Sequence, residues 1–173
     1  MAERMRGAAR LRARSLRTLP LTVASLVATG AAASGLGMVF LGETWWVAGM
    51  GVAALALTAT SLLRRVPVPK LGALPWFAPS LGGLLVIVIA TTALHFGHLA
   101  TAGLLPNTET LTALRGGLGQ AAAELAVRSA PLEVPDGFAP AVTSGIAVLA
   151  LLVELIAVTL RQPALAGLPL LGV

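Results

Sequence analysis

The 173-residue sequence contains no cysteine, which excludes a disulfide, a thiolate metal site and a cysteine nucleophile. Charge is scarce as well. Only 11% of the residues are Asp, Glu, Lys or Arg, where soluble globular chains carry about 25%. Histidine occurs only at positions 95 and 98, too few for a closed zinc site, and no carboxylate nearby completes one. Lysine occurs once, at Lys70, against eleven arginines. That bias, with heavy use of Ala, Leu and Gly, points to a GC-rich bacterial gene. What remains is apolar: 57% of the residues are hydrophobic and the mean hydropathy is +0.89.

The apolar residues are gathered into four long stretches, at about Leu19–Leu41, Trp45–Leu63, Leu74–Phe96 and Ala139–Leu160. The first three hold no charged residue, and the fourth holds Glu154. At about 1.5 Å per residue, roughly 20 residues of helix cross a hydrocarbon core of about 30 Å. Lipid offers the backbone no hydrogen-bond partners, so each crossing has to be helical. The expected fold is an all-α integral membrane protein. It comprises a basic tail over 1–18 and a transmembrane domain over 19–173, made of a four-helix bundle and a partial fifth span at 163–173.

Flanking charges predict the orientation. The tail carries Arg4, Arg6, Arg10, Arg12, Arg14 and Arg17 against Glu3, and the connection Gly42-Glu43-Thr44 carries only an acid. Arg64, Arg65 and Lys70 follow the second stretch without an acid, and Arg161 follows the fourth. The long connection 97–138 holds Arg115 and Arg128 against Glu109, Glu124, Glu133 and Asp136. Basic connections thus alternate with acidic ones, which the positive-inside rule turns into a topology. The N-terminus, the Arg64–Lys70 loop and Arg161 are expected in the cytoplasm of a bacterial cell, and loop 97–138 outside its plasma membrane. Six of the twelve basic residues lie in the first 17 positions. A tail of that kind holds topology and meets anionic lipid, so the net charge of +5 does not indicate nucleic acid. The tail and Ala31-Ala32-Ala33 resemble a signal peptide, but the apolar stretch runs on to Leu41, past the 7–15 residues typical of a signal.

Several local features refine this picture. Gly42 breaks a tight hairpin between the first two spans, and Trp45 and Trp46 are expected at the membrane–water interface. Gly30/Ser34, Ala31/Gly35 and Ala33/Gly37 are small pairs spaced for close helix packing. Val66-Pro67-Val68-Pro69-Lys70 cannot continue a helix. Pro75 and Pro79 sit where the first turn of the third span tolerates them, beside Trp76 as an interfacial anchor. In the long loop, Leu111, Leu114, Leu118, Ala121 or Ala122, and Leu125 recur three and four apart. They predict an amphipathic helix on the outer membrane surface, with Thr108 placed to cap it and a break available at Gly116, Gly117 and Gly119. Pro131–Gly137 then returns the chain as an extended, turn-rich segment.

Glu154 is the candidate functional residue, because an ionisable group inside a span is costly to bury. It lies six residues before Leu160, about 9 Å from the end of the span at helical rise. At that depth it is within reach of water or of an arginine from another span. His95 and His98 share a helical face and read as interfacial histidines rather than metal ligands. No catalytic, cofactor-binding or metal-binding residue is expected. The expected partners are the lipid bilayer and other membrane helices of the same or a partner protein.

Three segments carry a resemblance. They are Leu63-Arg64-Arg65-Val66-Pro67-Val68-Pro69, Ala130-Pro131-Leu132-Glu133-Val134-Pro135 before Gly137, and Val153-Glu154-Leu155-Ile156-Ala157-Val158 followed by residues Leu160–Leu171. Together they resemble the N-terminal membrane domain of bacterial transglutaminase-like membrane proteins of the TgpA type. The resemblance implies further membrane helices, an extracytoplasmic transglutaminase-like domain with a Cys-His-Asp triad, and a last transmembrane helix. This sequence ends at Val173 and has no cysteine, so no catalytic residue carries over. It is expected to be a fragment of, or a truncated relative of, such a protein. The family often has aspartate where Glu154 stands, which keeps the carboxylate. The expected function is therefore the membrane anchor of a transglutaminase-like, cysteine-dependent parent. The alternatives are a small transporter using Glu154 as a proton carrier, and an assembly partner acting through small-residue faces.

Overall fold

The computed structural model describes residues 21–65, 77–127 and 131–159. The basic tail, the 66–76 loop with Trp76, Arg128, Arg161 and the expected fifth span at 163–173 lie outside them. The described chain is mostly helical, and four of its helices are long and apolar enough to cross a membrane. We label the helices α1 (21–34), α2 (Thr44–Leu63), α3 (Ala78–Phe96), α4 (Thr108–Val127) and α5 (Ala139–Glu154). A 3-10 segment, Gly35–Met38, extends α1, and a π-helical segment, Leu155–Thr159, extends α5.

Helices α2, α3 and α5 pack against one another and form the centre of the molecule. Their common core is Val52, Ala53, Ala56 and Leu57 from α2, Ile87 from α3, and Ala147, Ala150 and Leu151 from α5. The alanines set the spacing. Small side chains let helix backbones approach closely, which is what holds helices together where lipid supplies no hydrophobic drive. One close approach is at Gly83 of α3, where an added Cβ would collide with Thr60 Oγ1 and come within 2.9 Å of a Leu151 methyl. All three helices meet at that glycine. Among the described residues, prolines enter helices only at their starts, Pro79 in α3 and Pro140 in α5, where the first-turn N–H groups have no helical partner to lose.

The first apolar stretch does not remain helical to Leu41. Its helix gives way at Gly35, and Phe40–Leu41 becomes a short strand, β1, paired in parallel with β2, Leu132–Glu133. Phe40 stands opposite Leu132 and Leu41 opposite Glu133. The physical reason is local: Gly35 and Gly37 weaken the last turn, and Gly42 takes φ +82°, a conformation that only glycine adopts freely. The backbone groups freed by the helix end are then taken up by the returning 131–134 segment, with Leu132 N–H donating to Val39 C=O at 3.1 Å. Each strand leads into a helix, β1 into α2 and β2 into α5, so α2 and α5 run side by side in the same sense.

Above that pairing lies a second core of Ala33, Phe40, Trp45, Val142 and Ile146. Trp45 is only 6% exposed and meets Phe40 edge-on, with ring centroids 6.0 Å apart. The expectation of Trp45 as an interfacial anchor is therefore corrected: it is a core side chain, because the strand turns Phe40 back over it. Trp46 is half-buried, and its indole N–H reaches Gly30 C=O at 3.4 Å. The small face of α1 is also redrawn. Ser25, Thr29, Gly30 and Ala33 are buried, whereas Ala31, Ser34, Gly35 and Gly37 are exposed.

Helix α4 runs unbroken through Gly116, Gly117 and Gly119. Its cap is Asn107, not Thr108. Asn107 Oδ1 accepts from Thr110 N–H at 2.9 Å, and Thr110 Oγ1 accepts from Asn107 N–H at 2.8 Å. That reciprocal arrangement satisfies donors at the helix start. Ala121 of the apolar stripe is buried, Leu114, Leu118 and Leu125 are half-buried, and Leu111 is exposed. Leu125 packs onto the Phe40–Phe138 cluster, so much of the stripe faces protein. Gly117 and Gly137 meet backbone to backbone: a Cβ on Gly117 would stand 3.1 Å from Gly137 Cα, and one on Gly137 would collide with Gly117 C=O.

Candidate functional site

Glu154 closes the regular part of α5 and is completely buried. Arg64 caps the end of α2, at the same end of the bundle because the two helices run in the same sense. Their side chains engage through an ion-pair contact and one hydrogen bond. Arg64 Nη1 lies 2.5 Å from Glu154 Oε1, and Arg64 Nη2 donates to Glu154 Oε2 at 2.9 Å. The guanidinium thus stands against both oxygens of the carboxylate. The pair is asymmetric, since the arginine side chain is 20% exposed and the glutamate not at all. Directly after Glu154 the chain widens into the π-helical turn Leu155–Thr159. Val153 and Ala157 stay buried on either side of the junction.

Several hydroxyls elsewhere in the interior are turned onto their own helix, whereas Trp45 Nε1, Ser80 Oγ and Thr91 Oγ1 are buried without a hydrogen-bond partner. Thr29 donates to Ser25 C=O at 2.8 Å and Thr60 to Ala56 C=O at 2.9 Å. Ser25 and Ser144 do the same, with Leu21 and Pro140. Such back-bonding satisfies a hydroxyl without lining a passage. His95 is an exception that links two helices: its Nε2 lies 3.1 Å from Oγ1 of the buried Thr143. His98 is exposed. Among the described residues no group of three or more His, Asp or Glu is arranged to hold a metal ion.

Two partners are not legible in the sequence as such. Arg64 stands out there only as a topology signal, although it falls on the same expected side as Glu154, and that coincidence is the available clue. Thr143 carries no signal, because a threonine among apolar residues looks like any other.

Four apolar helices long enough to cross a membrane, packed through small residues with an ion pair at one end, are the features of a membrane protein. The chain belongs to the TgpA N-terminal domain family, whose model it matches over residues 27–173. That family is the N-terminal domain of TgpA-type transglutaminase-like proteins. No curated protein and no solved structure matches the chain.

Proposed function

We propose that this chain is the membrane anchor of a transglutaminase-like protein and carries no catalytic group of its own. The family match over residues 27–173 carries this reading. The interior supports it: Glu154 is taken up by Arg64, and the buried Thr29 and Thr60 bond back to their own helices rather than forming a polar route. The proton-carrier alternative rests on the burial of Glu154. It is disfavoured by the pairing with Arg64, which stands against both carboxylate oxygens.

The N-terminus, Arg64 and Glu154 lie on the cytoplasmic side of a bacterial plasma membrane in this reading, with the β1–β2 pair and α4 outside. Charge alternation supports that orientation. The test combines carbonate extraction of membranes from expressing cells with a cross-linking assay on the purified chain. Retention in the membrane pellet and no coupling of a glutamine donor to an amine are expected. Release by carbonate, or coupling above background, overturns the reading.

A further inference from the structure

Between α3 and α4 the chain makes a tight hairpin that the membrane reading leaves without a task. Thr101 and Leu105 exchange both backbone hydrogen bonds, Thr101 N–H to Leu105 C=O at 2.9 Å and Leu105 N–H to Thr101 C=O at 3.0 Å. Inside that ring Leu104 N–H donates to Thr101 C=O, and Gly103 N–H donates to Ala100 C=O. Ala102 and Gly103 both take positive φ, +53° and +72°, to close the turn. Asn107 Nδ2 ties the hairpin down by donating to Leu99 C=O at 2.8 Å. The tip is therefore built and held, with the N–H groups of Thr101, Gly103, Leu104 and Leu105 bonded within it.

Its side chains face the wrong way for a soluble turn. Leu104 and Leu105 are 50% and 52% exposed. The whole segment from Gly97 to Thr108 contains no Asp, Glu, Lys or Arg. Its level along the bundle is also defined. Gly103 C=O would lie 3.7 Å from a Cβ on Gly97, the residue that caps α3. The turn thus stands beside the end of an apolar span whose last turn exposes Leu94. An uncharged segment with most of its N–H groups bonded internally and outward leucines at the end of a span has the chemistry of the headgroup–acyl boundary.

We propose that the Leu104–Leu105 tip is an interfacial lipid anchor, seated in the bilayer boundary beside the end of α3. The inference rests on α3 spanning the membrane. It shifts lipid contact from the stripe of α4, much of which faces protein, to the hairpin before it.

The cysteine-free chain makes the test direct. Leu105→Cys, Leu94→Cys and Arg115→Cys are each labelled with an environment-sensitive fluorophore and reconstituted into phosphatidylcholine–phosphatidylglycerol vesicles. Lipids carrying a nitroxide near the headgroup or near the chain end report depth by quenching. The expected result is blue-shifted emission at 94 and 105 relative to 115, with the label at 105 quenched most by the headgroup-proximal nitroxide. Water-like emission at 105 with a shielded 94 overturns the anchor and leaves the spanning reading intact. A shielded 105 that neither nitroxide quenches means protein covers the tip, which also overturns it. Water-like emission at both 94 and 105 overturns the spanning reading and the anchor together.

Discussion

Arg64 and Glu154, 90 residues apart in the chain, close the same end of α2 and α5 with an ion pair and one hydrogen bond. The guanidinium keeps some access to its surroundings, while the carboxylate has none. Removing either partner therefore has unequal consequences. Arg64→Met leaves a fully buried carboxylate without its cation, the situation that costs about 3–5 kcal/mol. Glu154→Leu leaves an arginine that can swing outward, and it is expected to cost about 1 kcal/mol, the scale of polar contacts between membrane helices. The double variant Arg64→Met/Glu154→Leu is expected to lie nearer to wild type than Arg64→Met alone. Unfolding titrations in mixed micelles rank the three, and Glu154→Leu proving worse than Arg64→Met contradicts the asymmetry.

Gly116 of α4 and Gly137, which packs against Gly116's neighbour Gly117, give opposite predictions. Gly116 has open space where a methyl would stand, so Gly116→Ala gains up to about 1 kcal/mol of helix propensity. Gly117 and Gly137 have each other's backbone there, and Gly137→Ala is expected to cost about 1–3 kcal/mol through overpacking. Thermal melts in detergent compare them directly. A stabilising Gly137→Ala refutes the backbone contact.

The cap of α4 offers a second local contrast. Asn107→Ala removes Oδ1 from Thr110 N–H and also the bond from Nδ2 to Leu99 C=O. About 1 kcal/mol is the usual loss for such a cap. Thr108→Ala, at an exposed first helical position, should be nearly silent. Hydrogen exchange over 108–112 reads the difference, and equal effects count against Asn107.

Topology can be tested by single cysteines in intact cells. An impermeant thiol reagent is expected to label Glu133→Cys and to spare Lys70→Cys. The reverse pattern inverts the proposed orientation.

Proton carriage is tested by Glu154→Gln in vesicles holding a pH-sensitive dye. Wild type and variant are expected to show the same leak. A flux in wild type that disappears in the variant favours the transporter alternative.

The sequence announces its solvent more clearly than its contacts. Long uncharged stretches have one stable use, and helices lie within each of them, because length and apolarity are local properties. The amphipathic spacing from Leu111 to Leu125 likewise lies in one helix. What stays hidden is long-range. Nothing near Phe40 says that Leu132 will pair with it, so the first stretch reads as helix up to Leu41. The same strand turns Phe40 over Trp45, which is why a tryptophan at a span's edge looks like an interfacial one. Asn107 and Thr108 are both residues that can cap, and the sequence alone does not show that Asn107 takes the bond to Thr110 N–H. Glu154 stands out as a costly residue, but its partner lies behind a separation of 90 residues.

The parallel strands and the ion pair fasten α2 and α5 at opposite ends. Helix α2 has 20 residues, about 30 Å of rise, and between its two fastenings it cannot slide along α5 without breaking one of them. Hydrophobic mismatch is ordinarily met by tilting, by local bilayer deformation or by rearranging helices. Sliding of these two helices is closed to this bundle. In a thin bilayer the pair has to lean as one body, and in a thick one the lipid around it has to yield.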